Sequence, residues 1–457
     1  MQPKKEKRKT MVFKRKIYDQ FLHWKQEDNG TTALLIEGAR RIGKSTIAEE
    51  FAKREYSSYI LVDFAFASAE TKALFNDISN LESIFTKLQF TYKTKLIPHK
   101  SVIIFDEIQL CPRARQAIKA LVKDGRFHYI ETGSLLGIKM KQQNKTEKLL
   151  IPSEERRLKM YPMDYEEFRW AMDDEVTCGM AEQAFNDWCQ VGDAVNRNMM
   201  RDFRLYMLVG GMPQAVDKYI KTLDLSQVDQ VKRNILELYE ADFYELDTSG
   251  TTSMLFRAIP SQLNSKSSRF MPGSAIKGGR LDRLENPIAI LKDSMTVNVC
   301  YHSDDPSAGL AMHINMDKFK LYCCDTGLFV TLAFWDKGFT ENTIYGKLLS
   351  DKLSANLGYV YENVVSQMLK AKGDNLYYHT FRTKDSTSQY EIDFLLSRKG
   401  KVVPVEVKSA KSDLHKSIDK FQEKYPSRTT ERYLVHPRDL RKDGELKCLP
   451  FYMVASL

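Results

Sequence analysis

Residues 33–36 read Ala-Leu-Leu-Ile, a short apolar run with the character of a strand buried on both faces. Similar runs at 59–64, 102–105 and 127–131 predict three more strands. Between them, Ser45 through Ala48 to Phe51 and residues 78–90 carry apolar side chains at helical spacing. This alternation predicts an α/β domain of three layers with a parallel sheet, running from about residue 12 to 170. Residues 171–245 are helical in period, with Trp188, Phe203, Tyr206 and Leu236 as apolar anchors. "VGGMPQAV" interrupts them with a tight connection, read either as a nucleotide-sensing lid or hinge or as packing punctuation.

Residues 246–335 form a Ser- and Gly-rich region. There "FRAIPSQL" and "DRLENPIAIL" predict the helices, and "SMTVNVCYH" a strand, of a small winged-helix unit, read either as a DNA-groove binder or as a protein–protein spacer. The basic residues Lys266, Arg269, Lys277, Arg280 and Arg283 suit a nucleic-acid contact or a solvated face. Over 336–457 the period shortens to two. Val403, Val405 and Val407 share one face and Glu406 and Lys408 the other. Ile392, Phe394 and Leu396 oppose Asp393, and "SRKGK" joins the two runs as a hairpin.

The turn after the first strand, "GARRIGKS", spells G-x-x-x-x-G-K-S between a strand and a helix, the context a phosphate-binding loop requires. Gly38 and Gly43 allow backbone conformations that a Cβ obstructs. The loop, from Gly38 through Ala39, Arg40, Arg41, Ile42, Gly43, Lys44, Ser45 and Thr46, would turn its N–H groups onto a nucleotide's phosphates. Lys44 would reach the terminal phosphates and Ser45 would place its hydroxyl on Mg²⁺. A metal carboxylate is expected at the carboxyl end of a neighbouring strand, and "SVIIFDEIQL" supplies Asp106 there, followed by Glu107 to activate the attacking water. Thr132 and Ser134 of "TGS" end the next strand, beside the expected γ-phosphate. Arg40, Arg41, Arg156 and Arg157 are all candidates for balancing phosphate charge, and the sequence does not choose among them.

Pairing the C-terminal strands would bring Asp393 near Glu406 and Lys408. Two carboxylates that hold Mg²⁺ and a lysine that positions a nucleophile suit metal-assisted phosphodiester hydrolysis.

The segments "LLIEGARRIGKST", "IIFDEIQLCPRARQAIKAL" and "IETGSLLG" resemble the AAA-type ATPase domain of a prokaryotic family that carries a C-terminal nuclease-like domain. "LKMYPMDYEEF", "YMLVGGMPQAV", "KLYCCDTGL", "LGYVYENVVSQML" and "YEIDFLL…VVPVEVKSA" extend the likeness over nearly the whole chain. It implies ATP and Mg²⁺ as cofactors, ATP hydrolysis, and a PD-(D/E)XK-like fold in which Glu362 joins Asp393 and Glu406 at a metal. Gln422 and Tyr425 would line the far side of that site. The likeness departs at Glu155–Arg156, where such sequences often carry a glycine before the arginine.

Net charge is +9, from 69 basic and 60 acidic residues, which is compatible with DNA as a partner without demanding it. The opening "KKEKRK", within residues 1–11, reads as a solvated, disordered basic arm. No run reaches the length of a membrane span, and the 7 cysteines have no metal-clip spacing. A cytoplasmic protein with reduced thiols is the expectation, with homo-oligomerisation left open.

Overall fold

The computed structural model describes residues 11–133, 152–276 apart from 266 and 268, 284–336, 346, 349–350, 358–383, 389–409 and 415–457. The basic arm up to residue 10, Ser134, and the basic residues Lys266, Lys277, Arg280 and Arg283 lie outside the described residues. The chain divides into two compact units, Met1–Met160 and Tyr161–Leu457.

The first unit is built on a five-stranded parallel sheet in the order β2-β3-β4-β1-β5. Its strands are β1 (Ala33–Glu37), β2 (Ser58–Asp63), β3 (Ser101–Asp106), β4 (His128–Gly133) and β5 (Glu155–Lys159). The central strands β1, β3 and β4 are buried at every position, as expected when helices cover both faces. On one face, Ile84, Phe85 and Leu88 of helix Leu81–Tyr92 and Ile118 and Leu121 of helix Pro112–Asp124 pack on Leu35, Val62, Phe105 and Tyr129. On the other, helix Ile17–Glu27 packs on helix Lys44–Glu55 through the edge-on pair Phe21–Phe51. The four strands expected from apolar runs are present. β5 was not foreseen, because "ERRLK" offers only one apolar residue and its half-exposed edge position does not demand more.

The second unit combines a helical stretch with one eight-stranded mixed sheet, ordered β12-β13-β11-β10-β9-β8-β6-β7. Its strands are β6 (Val297–Ser303), β7 (Ile314–Cys323), β8 (Leu376–Arg382), β9 (Gln389–Arg398), β10 (Lys401–Val407), β11 (Arg432–His436), β12 (Arg441–Asp443) and β13 (Leu446–Pro450). The expected helices, Thr251–Asn264 and Glu285–Asp293, and the expected strand β6 all form. They do not make a separate winged-helix unit, because β6 pairs in parallel with β8 over Cys300–His302 and so belongs to the C-terminal sheet. The boundary expected at 335/336 therefore falls inside one hydrogen-bonded layer, and the two compact units divide at 160/161.

The hairpin of β9 and β10 turns at Lys399 and Gly400, which have φ of 48° and 74°, between the paired residues Arg398 and Lys401. Among the described residues no helix is long and apolar enough to cross a membrane, and all 7 cysteines are free thiols.

Candidate functional site

The phosphate-loop residues meet where the sequence placed them, at the carboxyl ends of β1, β3 and β4. Gly43 stands at φ 95° ahead of helix Lys44–Glu55, and Arg41 takes φ 70°, a conformation that costs a non-glycine residue about 1 kcal/mol or more. A Cβ on Gly38 would lie 2.5 Å from the Met160 carbonyl oxygen, so the loop passes β5's end too closely for a side chain. Lys44 is buried, and its Nζ donates to the carbonyls of Gly38 and Ala39 at 2.9 Å each, folding the ammonium back over the loop. Ser45 Oγ donates to Asp106 Oδ1 at 2.6 Å, and Thr132 Oγ1 donates to the same oxygen. Ser45, Asp106 and Thr132 form an all-oxygen set, the type a hard divalent cation takes, so these residues fit Mg²⁺.

Glu107 follows at φ 51°, a backbone strain found at many working sites, and its Oε2 accepts from Gln109 Nε2. Arg40, Arg41 and Thr46 are exposed at the loop. Arg156 instead pairs with Glu27 and Asp28 at 3.0 and 2.8 Å, at the end of helix Ile17–Glu27. Arg157 approaches Glu37, the residue before the loop, at 3.8 Å.

Three features of this unit escaped sequence reasoning. Arg15 is buried and donates from Nη1 to the Ile42 carbonyl at 2.9 Å, holding the loop from outside the motif. Arg115 makes a two-pronged pair with Glu155 at 3.0 Å on each prong. Glu131 is fully buried with both carboxylate oxygens unpartnered among the described residues. Burial, reinforced by the charge of Glu155, raises its pKa well above the ordinary carboxylate value. None of the three had a motif to announce it. Glu131 lay unremarked beside Thr132 in the quoted "IETGS".

In the second unit, the strand pairing brings Asp393, Glu406 and Lys408 together. Val407 N donates to Asp393 Oδ2 at 2.8 Å across the β9–β10 pair. Lys408 Nζ lies 2.7 Å from Glu406 Oε1, and Ile418 N donates to Glu406 Oε2 at 3.2 Å. Glu362, on helix Gly358–Ala371, accepts from Tyr322 Oη at 3.1 Å and faces Lys320 Nζ at 3.7 Å. Lys320 Nζ also donates to Glu391. Burial pushes Glu362 up to about 7, with Asp393 and Glu391 adding to the rise against the lowering charge of Lys320. Burial alone would lower the pKa of Lys320, but Tyr322, Glu391, Glu362 and Asp393 outweigh it and keep the ammonium charged.

Lys320, Tyr322 and Glu391 were not foreseen as site residues, although "KLYCCDTGL" and "YEIDFLL" contain them. The alternation of β7 puts Lys320 and Tyr322 on one face. Tyr425 does not line this cluster: its hydroxyl meets His379 Nε2 at 3.2 Å, and its ring packs on Phe421. Among the described residues no group of three or more His, Cys, Asp or Glu side chains is gathered as a metal would require. Each carboxylate is already turned to a lysine, a hydroxyl or a backbone N–H.

Residues 30–169 match the model of an AAA domain family, AAA_14. Residues 200–338 match a domain of unknown function, DUF8612, and residues 357–452 another, DUF4143. Among solved structures, a Walker-type ATPase of Pyrococcus abyssi is similar at 18% identity and a TM-score of 0.42, over 70% of this chain and 96% of that one. The Thermotoga maritima RuvB Holliday junction branch migration motor is similar at 13% identity and a TM-score of 0.29, over 62% of this chain and 89% of that one. The ADP form of the Aeropyrum pernix ORC2 protein is similar at 11% identity and 0.27, over 76% and 97%. No curated protein matches the chain significantly. Residues 30–169, which hold the phosphate loop, Asp106 and Thr132, thus form an AAA-type P-loop ATPase domain, followed by two domains of unknown function.

Proposed function

We propose that the protein is an ATP hydrolase whose nucleotide state governs its C-terminal domain, with DNA as that domain's partner. The observation that carries the reading is the meeting of Lys44, Ser45, Thr132 and Asp106 at the ends of three neighbouring strands. Lys44 exchanges its two loop carbonyls for phosphate oxygens when nucleotide arrives. Ser45 and Asp106 would hold Mg²⁺, which supplies charge neutralisation on the phosphates. Thr132 keeps the Asp106 carboxylate aimed at the loop. Ser134 is the second hydroxyl proposed for the γ-phosphate contact. Glu107 orients the attacking water and accepts its proton at a carboxylate oxygen. Arg40 and Arg41 lie exposed within the loop itself and are the arginines proposed to meet phosphate.

Two substitutions test this reading. Lys44→Ala should abolish ATP binding, measured by titration with a fluorescent ATP analogue in Mg²⁺; undiminished affinity would refute it. Glu107→Gln should bind ATP normally and lose turnover by about 10²–10⁴-fold, as expected for removal of a general base. Turnover within twofold of the parent would remove Glu107 from the mechanism.

The C-terminal domain supports two readings. Asp393, Glu406, Lys408 and Glu362 form the residue set of a PD-(D/E)XK-like nuclease, and this favours cleavage of a phosphodiester. The partners those carboxylates already hold favour a domain that binds without cutting. Incubation with plasmid and oligonucleotides, with and without ATP, in Mg²⁺ or Mn²⁺ separates them: cleavage that disappears in Asp393→Ala supports the first.

A further inference from the structure

Four carboxylates, Glu362, Glu391, Asp393 and Glu406, share the second unit's polar cluster with two ammonium groups, Lys320 and Lys408. The lysines are divided between the carboxylates. Lys408 serves Glu406 at 2.7 Å. Lys320 reaches in from β7 and serves both Glu391 and Glu362. A cavity of about 340 Å³ opens onto this second pair, lined by Gln262, Arg269, Lys320, Glu362, Gln389 and Glu391. An approaching solute therefore meets the Lys320 side of the cluster, with Arg269 as a further cation.

A bound Mg²⁺ or Mn²⁺ needs several oxygens aimed at one point, about 2.0–2.1 Å away for the smaller ion. Here one oxygen of each carboxylate is already engaged by a protein donor. Glu362 accepts from Tyr322 Oη at 3.1 Å, Asp393 from the Val407 amide at 2.8 Å, and Glu406 from the Ile418 amide at 3.2 Å. Lys320 lines the cavity, yet only 8% of its side chain is exposed, so its ammonium group lies largely among the carboxylates it pairs with.

We propose that Lys320 is the cluster's own counter-cation: its ammonium group neutralises Glu362 and Glu391 from the cavity side, takes the electrostatic place of a divalent ion, and leaves the cluster with low affinity for metal. The proposal rests on the reading that Glu362, Asp393, Glu406 and Lys408 form one site. It turns the choice between cutting and non-cutting onto a residue outside the D…E-x-K pattern.

The test is Mn²⁺ titration of the full chain without nucleotide, with free Mn²⁺ read by electron paramagnetic resonance. Wild type and Asp393→Asn should give superimposable isotherms, because Asp393 holds no metal while Lys320 is present. Lys320→Met should gain one site tighter by about tenfold or more, and adding Asp393→Asn should remove it. Lys320→Arg, which keeps the charge, should behave as wild type.

The proposal is overturned if Asp393→Asn weakens Mn²⁺ binding in the otherwise native chain, or if Lys320→Met gains no site. A new site in Lys320→Met that survives Asp393→Asn also overturns it, and identifies the one-site reading as the part that failed. Should Lys320→Met not fold, Lys320→Gln takes its place in the same titration, with the same two outcomes.

Discussion

Arg115 shows what one side chain does when it is placed behind a ligand loop. Its guanidinium grips Glu155 on β5, whose carboxylate side chain is 1% exposed, and it lowers the cost of the neighbouring Glu131. Arg115→Ala would leave the buried Glu155 carboxylate to Arg157 alone, at 3.3 Å. The expected loss is at most about 3–5 kcal/mol, read as a shift in the denaturant midpoint of the first unit. A shift below about 1 kcal/mol would mean that water reaches Glu155. This pair was invisible in the sequence: 40 residues separate the partners, and neither belongs to a phosphate-binding motif. Lys44, Ser45 and Asp106 were legible because phosphate and metal chemistry demands those residue types at those places.

Asp325 explains segments that identified a family likeness without naming a chemistry. It caps helix Thr326–Ala333 through Leu328 N at 2.9 Å and accepts from Gly211 N at 2.5 Å. A Cβ on Gly211 would lie 2.1 Å from the Met163 carbonyl, and Tyr206 Oη donates to that same oxygen at 2.9 Å. Gln367 accepts from Thr326 N at 2.8 Å, and Asn363 from Cys323 N at 2.8 Å. "KMYPMDY", "LVGGMP", "CCDTGL" and "YENVVSQ" are thus four walls of one buried polar knot. This geometry favours packing over a hinge for the glycine pair. Asp325→Ala would orphan the Gly211 and Leu328 amides, and the expected cost is about 2–4 kcal/mol in thermal or denaturant unfolding of the second unit. An unchanged midpoint would mean that water replaces the carboxylate.

Across the whole molecule, burial holds several histidines neutral. His128, His379 and His436 are each pushed down to about 4, chiefly by loss of water. Their unfolded value is near 6.5, so between about pH 6.5 and 4 the unfolded chain binds protons that the folded chain refuses. Stability contributed by these groups is therefore present above that window and lost as pH falls through it, by about 2–3 kcal/mol for each histidine. His128 lies in the first unit and the other two in the second, so both should soften in acid. Glu362, raised to about 7, pulls in the opposite sense, and a single variant isolates the effect. His436 Nδ1 accepts from Arg438 N at 3.1 Å, a bond that protonation would break. His436→Gln should flatten the fall in unfolding midpoint between pH 7 and 4.5; the same slope in both proteins would exclude His436 as a contributor.

By itself the sequence determined the first unit's parallel sheet, its phosphate-loop motif, the placing of Asp106 at a strand's carboxyl end and the C-terminal hairpin. These are local: apolar runs of strand length, glycines at tight turns, and residues whose spacing along the backbone already implies their spacing in space. Only tertiary structure decided that β6 joins the C-terminal sheet, that Arg15 and Arg115 brace the ATPase domain, and that Lys320 lies among the carboxylates. Those outcomes depend on which distant segments come to share one buried volume, where an unpaired charge is expensive and must find its partner wherever the fold supplies it.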